Sequence, residues 1–250
     1  MLSSRPLRCR CLQCSIFLAA LLIMSWHGSP LCAQSIRHIA AHRIDATGHV
    51  QDLIIIAFPI QGWYLLSLPV TPDDNAVATL FPMAIGGVLY AWENNQYASK
   101  TTVETGKGYW LAIPGPSAAV ITGTPVTSFS GHYGQGWQLI GSVLGTVDFS
   151  NPNDDPDGAI LLPIFRWNGD KQRYYPTVTN IEQSYGHWVA VMQECDLVVA
   201  GGSVTATFSK SANRLTAAAF HERFGATPPP PPFPLALSTT PRLPISARLL

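Results

Sequence analysis

Charge is sparse in this sequence. Only 12% of its 250 residues are Asp, Glu, Lys or Arg, and 15 cations are balanced by 15 anions. A chain so sparsely and evenly charged has no basic face with which to displace counterions from nucleic acid. Nor has it one for electrostatic docking on an acidic membrane. Cysteine is scarcer still, with 5 residues. Cys9, Cys11, Cys14 and Cys32 all fall within the first 33 residues, which leaves Cys195 alone in the rest of the chain. No internal disulfide can brace that remainder, so a packed core must, and the length is sufficient for one. Catalytic signatures are missing as well. There is no Gly-x-Ser-x-Gly elbow, no His-Glu-x-x-His and no Gly-x-x-x-x-Gly-Lys-Ser/Thr, so serine-hydrolase, zinc-protease and P-loop chemistry have no anchor. Gly106-Lys107-Gly108 is too short for a phosphate loop and precedes a strand rather than a helix.

The N-terminus has the layout of a secretory signal. Arg5, Arg8 and Arg10 supply positive charge, Ser15 to Met24 is a short apolar run, and Leu31-Cys32-Ala33 offers a cleavage site before Gln34. The apolar run falls short of the ~20 residues of a transmembrane helix. Residues 1–33 are therefore expected to be removed on export, giving a secreted or cell-surface protein without a membrane span in the mature chain. Cys9-x-Cys11-x-x-Cys14 lies inside this leader and lacks the second ligand pair of a zinc site.

Aromatics are what the chain does have. Six of its seven tryptophans fall into two copies of one pattern. The first copy holds Trp63 in Gly-Trp-Tyr-Leu-Leu-Ser, Trp92 in Tyr-Ala-Trp-Glu-Asn and Trp110 in Gly-Lys-Gly-Tyr-Trp-Leu. The second holds Trp137 in Gly-Trp-Gln-Leu-Ile-Gly, Trp167 in Phe-Arg-Trp-Asn-Gly and Trp188 in Tyr-Gly-His-Trp-Val. The offset grows from 74 (63 to 137) through 75 (92 to 167) to 78 (110 to 188), so insertions fall between the matched positions, where turns tolerate them.

Period-two alternation and turn residues place short strands throughout. Residues 34–61 form a lead-in with a strand over Asp52 to Pro59. The first repeat covers 62–124, with strands at 63–70, 87–92, 97–103, 109–113 and 118–122 and one helical turn at 76–81. The second covers 136–202, with strands at 137–141, 160–167, 186–191 and 197–201. Its Asn168-Gly169 is a strong hairpin signal because both residues tolerate positive φ. An Ala-rich stretch, 209–225, predicts a helix closed by Gly225. Pro228 to Pro232 impose an extended spacer, and 226–250 as a whole is expected to be disordered. A single repeat would expose apolar edges, so the expected fold is all-β, two pseudo-symmetric repeats packed as one sandwich or barrel-like unit.

Few residues offer chemistry. Asn151-Pro-Asn-Asp-Asp-Pro-Asp-Gly158 places Asp154, Asp155 and Asp157 close together, a set that could hold Ca²⁺, although the same residues make an ordinary solvent loop. No other cofactor is implied. His38, His42 and His49 lack a completing carboxylate or thiol. Glu104 and Glu182 precede the Gly-Tyr-Trp and Gly-His-Trp turns, where they could act as a glycosidase pair or simply cap the turn. Trp63, Trp110, Trp137 and Trp188 lie within apolar strands and read as core. Trp92 and Trp167 sit beside hairpin turns with Tyr97, Tyr174 and Tyr175 nearby. These hairpin aromatics are the candidate ligand face, with a glycan or a surface protein as the partner.

The pattern Gly62 to Val70 (Gly-Trp-x-Leu-x-Ser-x-Pro-Val), Ala78 to Pro82 (Ala-Thr-Leu-Phe-Pro) and Gly106 to Trp110 resembles a duplicated module of large secreted proteins of the Bacteroidetes and Chlorobi. The second copy matches through Ser184 to Trp188, and Phe224 to Pro232 resembles the linker that precedes a type IX sorting domain in such proteins. The resemblance spans roughly residues 60–232 and implies a surface or extracellular protein rather than one activity. The Asn-Tyr-Pro-Asn-Pro-Phe-type opening of the sorting domain does not follow Pro232, and 233–250 is expected to be a truncated or frame-shifted end. The leading expectation is thus a non-catalytic spacer or recognition module. A carbohydrate-binding module that uses the hairpin aromatics comes second, and a glycan hydrolase third.

Overall fold

A computed structural model describes residues 37–44, 50–201 and 216–235. The expected leader, residues 202–215 and residues 236–250 lie outside the described residues. The chain runs through β1 (Arg37–Ile44), β2 (Val50–Phe58), β3 (Gly62–Leu66), β4 (Val70–Pro72), α1 (Val77–Leu80), β5 (Leu89–Glu93), β6 (Gln96–Lys100), β7 (Tyr109–Ile113) and β8 (Ser117–Pro125). It continues through β9 (Ser128–Tyr133), β10 (Gly136–Ile140), β11 (Val147–Asp148), β12 (Asn153–Asp155), β13 (Ile160–Asn168), β14 (Arg173–Val178), β15 (Asn180–Ile181), β16 (His187–Val191), β17 (Cys195–Ala200) and α2 (Ala217–Phe224). The fold is all-β with two short helices, as the alternation predicts.

Duplication is visible in the strand order. One sheet runs β3-β7-β5-β6 and another β10-β16-β13-β14, the same path traced twice. Register matches residue for residue. Trp63 faces Ala112 and Leu65 faces Trp110, while Trp137 faces Ala190 and Leu139 faces Trp188. Trp92 pairs with Tyr97 in the first hairpin, and Trp167 with Tyr174 in the second. A second sheet completes each copy, β1-β2-β8-β4 in the first and β12-β17-β9 in the second. The repeat is therefore larger than the tryptophan motifs. β2 corresponds to β9, so the strand placed in the lead-in belongs to the first copy. β9 falls in residues left unassigned from sequence, because Ser128–Tyr133 carries only alternate half-buried side chains. His38 and His42, placed in the lead-in, lie on β1, which pairs with β2 along its whole length.

Alternation on the central strands feeds two cores at once. In β3, Tyr64 and Leu66 join a core with Ile54, Ile56, Phe58 and Ile121 of the outer sheet, while Trp63 and Leu65 point the other way. In β16, Val189 and Val191 join Leu197 and Val199, while Trp188 and Ala190 point the other way. The two tryptophan-bearing faces meet in a third core shared by both copies. A strand buried on both faces loses the polar alternation of a solvent-facing sheet, which is why β3 and β7 are built of apolar and aromatic residues and β16 departs from this only at His187.

The copies are also joined by backbone. Leu66 bridges Tyr185, and Ile140 bridges Lys107. The Gly186 N–H donates to the Leu65 carbonyl at 3.2 Å, and the Gly141 N–H to the Gly106 carbonyl at 2.8 Å. This close approach explains the glycines of the two turn motifs. A Cβ on Gly108 would stand 2.7 Å from the Ile140 carbonyl oxygen, and one on Gly186 3.0 Å from that of Leu66. We predict that Gly108→Ala costs about 2 kcal/mol of stability and Gly186→Ala less, since overpacking against backbone has no flexible group to yield. Chemical denaturation of each variant measures this, and a Gly108→Ala chain as stable as wild type would contradict it.

Candidate functional site

The hairpin aromatics expected to face a ligand instead cross between the copies. Trp92 of the first hairpin packs edge-on against Trp188 of the second copy at 5.4 Å, and Trp167 of the second hairpin against Trp110 of the first at 5.0 Å. Trp63 stacks on Tyr90 at 5.8 Å, as Trp137 does on Phe165 at 5.5 Å. Each contact occurs twice, related by the same pseudo-two-fold exchange. Edge-to-face packing at these distances adds ~1 kcal/mol per pair beyond burial.

Trp167 is only 6% exposed, and its indole N–H donates to the Trp63 carbonyl at 2.8 Å. It is a core residue, and the expectation of a ligand-contacting Trp167 is corrected. The hairpin turn carries it inward, with the Gln172 side chain accepting from the Trp63 N–H at 3.0 Å. Trp92 is half-buried in the same layer. Trp63, Trp110, Trp137 and Trp188 are all buried.

Tyr97 and Tyr174, one from each copy, reach the open side of this layer. Burial pushes both phenols above their usual range, with the Trp110 indole beside Tyr97 and the Trp188 indole beside Tyr174 acting the other way. Both therefore stay protonated and remain donors. What they donate to is the proline run. The Tyr174 hydroxyl donates to the Pro229 carbonyl, and the Tyr97 hydroxyl to the Pro230 carbonyl, with Pro229 within 3.4 Å. On either side the equivalent tryptophans do the same. The Trp137 indole donates to the Phe224 carbonyl at 3.0 Å, and the Trp63 indole to the Phe233 carbonyl at 2.9 Å. The Phe233 ring lies 4.8 Å from Trp63 and 5.6 Å from Tyr90, and Phe220 of α2 is fully buried 5.5 Å from Trp137.

Described residues 226–235 thus lie along a cleft between the copies, where the composition predicts disorder. The correction has a physical reason. Proline has no N–H and leaves its carbonyl unpaired, and the cleft presents donors: two indoles and two phenols. Helix α2 is held by its N-cap, where Thr216 Oγ1 accepts from the Ala219 N–H at 3.2 Å, and ends at Gly225 with φ 86°. The Trp137 indole satisfies a carbonyl of the last turn that has no partner within the helix.

The acidic candidates do not converge. Asp154 is buried and accepts the Ile160 N–H at 2.8 Å, and burial raises its pKa. Asp155 and Asp157 are exposed. Alternation along β12 turns Asp154 and Asp155 to opposite faces, so the Asp154–Asp155–Asp157 calcium set is corrected. Among the described residues no group of three His, Cys, Asp or Glu side chains is placed to hold a metal ion. Glu104 pairs with Lys107 at 2.8 Å, and Glu182 pairs with Arg166. Their shared position before the turns has a backbone explanation. The Glu104 N–H donates to the Tyr109 hydroxyl at 2.9 Å, and the Glu182 N–H reaches Nε2 of His187 at 3.4 Å. Tyr109 and His187 are equivalent, which accounts for the exchange of Tyr for His between the motifs.

The chain matches no protein-family model, no curated protein and no solved structure. No helix among the described residues is long and apolar enough to cross a membrane.

His187 carries a pH dependence. Burial first, and the Arg166 guanidinium second, lower its pKa from 6.5 to about 3. The unfolded chain takes up a proton near pH 6.5, but the folded chain does not until about pH 3. Its contribution to stability is therefore full above pH 6.5 and lost as pH falls towards 3, with a slope of up to ~1.4 kcal/mol per pH unit. We predict that His187→Tyr, which installs the residue of the equivalent position, flattens that slope in urea unfolding between pH 7 and 4. Equal slopes would contradict the assignment.

Proposed function

We propose that this chain is a non-catalytic module of an exported bacterial surface or extracellular protein, and that its duplicated β unit grips the proline-rich segment that leaves it. Gripping sets the direction and spacing of whatever follows. One observation carries the reading: hydroxyls from equivalent residues of the two copies, Tyr97 and Tyr174, meet on adjacent proline carbonyls. A free, self-avoiding linker has no need of such a cradle. Aromatic-lined grooves that take extended proline segments are a recurring mode of peptide recognition, because the proline run has already lost most of its conformational freedom.

The resemblance to the secreted Gly-Trp and Gly-Lys-Gly-Tyr-Trp module supports export and a surface location. The separate ion pairing of Glu104 and Glu182, each with its own cation, supports a non-catalytic role. The carbohydrate reading loses its platform, since Trp167 is buried and Tyr97 and Tyr174 are engaged by the tail.

Docking is readable in the indole protons of the full chain. Trp63 and Trp137 donate to the tail, whereas Trp167 donates within the core. A neutral hydrogen bond contributes ~1 kcal/mol. The Tyr97→Phe/Tyr174→Phe chain is therefore expected to exchange the Trp63 and Trp137 indole protons roughly tenfold faster by NMR, with Trp167 unchanged. Fast exchange of the Trp63 and Trp137 protons already in the wild-type chain would overturn the reading.

A further inference from the structure

We propose that the cleft is an exchangeable binding site for a proline-rich peptide supplied in trans, with the chain's own segment Phe224–Leu235 as the occupant that competes for it. The inference rests on the docking of that segment in cis and goes one step beyond it.

The contacts that hold the segment are of a kind a separate peptide can make. Side-chain donors from the body meet backbone carbonyls at Phe224, Pro229, Pro230 and Phe233, so the polar recognition reads acceptors that any proline-rich backbone presents. No continuous strand pairing joins the segment to either sheet. Selectivity comes from two requirements. The run between the outer carbonyls must stay extended without N–H groups, because the facing phenols and indoles supply donors that backbone N–H groups cannot satisfy. An aromatic ring must also fill the place of Phe233 against Trp63 and Tyr90. Phe233 is itself 38% exposed, and Phe224 and Leu235 pack only on the rim of the third core as partly buried residues, so the segment can leave without removing a fully buried member of the three cores.

The floor beneath the segment is formed before the segment arrives. Trp110, Trp167 and Trp188 are fixed by packing between the two copies, Trp63 by Trp110 and by the Trp167 indole on its carbonyl, and Trp137 by Phe165 and Phe220. A preformed floor avoids the ordering cost that limits binding by flexible surfaces. The tail, tethered to the module, competes at an effective concentration on the order of millimolar. A peptide must outcompete that tether, so the intact chain is self-blocked and becomes a receptor when its own segment is weakened.

The test uses the full chain. In one variant Pro229→Gly, Pro230→Gly and Phe233→Gly remove the segment's extension and its aromatic ring. A fluorescently labelled peptide with the sequence of residues 224–235 serves as probe, read by anisotropy. The variant is expected to bind the peptide saturably, and the wild-type chain at least tenfold more weakly. Adding Tyr97→Phe and Tyr174→Phe to the tail variant should weaken binding roughly tenfold, because two neutral donors are lost. A control peptide with glycine in place of Pro228 to Pro232 should bind worse by a similar factor. Absence of peptide binding to the tail variant overturns the proposal, and so does equal binding of the glycine peptide. Wild-type protection of the Trp63 and Trp137 indole protons separates the two readings. Protected indoles without trans binding sink exchange and leave docking in place, while unprotected indoles sink both.

Discussion

Everything in this protein depends on one unsatisfied surface. Each repeat builds a two-sheet sandwich that buries one face of its central sheet and leaves the other bearing two large indoles, Trp63 and Trp110 in the first copy, Trp137 and Trp188 in the second. Water cannot be left against such a face without a large cost, and the same face of the other copy packs against it. The hairpin tryptophans make the match reciprocal, each reaching past its own sheet to the partner's indole. The glycines of the two turn motifs follow from this, because the faces come together only if backbone can approach backbone at Gly108 and Gly186.

Legibility in the sequence follows the same division. The duplication, the central strands, the hairpins and the burial of Trp63, Trp110, Trp137 and Trp188 are readable because they rest on local alternation and on spacing that recurs. The fate of Trp92 and Trp167 is not, because a tryptophan beside an Asn or Gly turn looks the same whether its hairpin leans outward or folds over a neighbour. Asp154 misleads for a related reason: its place in an Asp-rich loop hides the backbone N–H of Ile160 that draws it inward. β9 is missed because one of its faces is solvated and its apolar residues are few. A repeat defined by its loudest residues ends too early, and a quiet strand such as β9 belongs to it all the same.

The proline run shows how composition alone misjudges order. Proline, glycine and small polar residues cannot form a core, and a tail made of them has no reason to fold by itself. It needs only acceptors to be held by another surface, and it has many. The signal in the sequence was chemical: five consecutive carbonyls without a single N–H, in a chain whose repeat carries buried tyrosines and tryptophans whose polar ends need partners. The hydroxyls of Tyr97 and Tyr174 in one part of the chain match the bare carbonyls of Pro230 and Pro229 in another, a complementarity that no single segment displays.

If the shared tryptophan layer is the foundation, neither copy can unfold while the other stays intact. Differential scanning calorimetry of the full chain tests this most directly. The account predicts one transition in which the calorimetric and van't Hoff enthalpies agree. Two resolved transitions, one for each repeat, would contradict it.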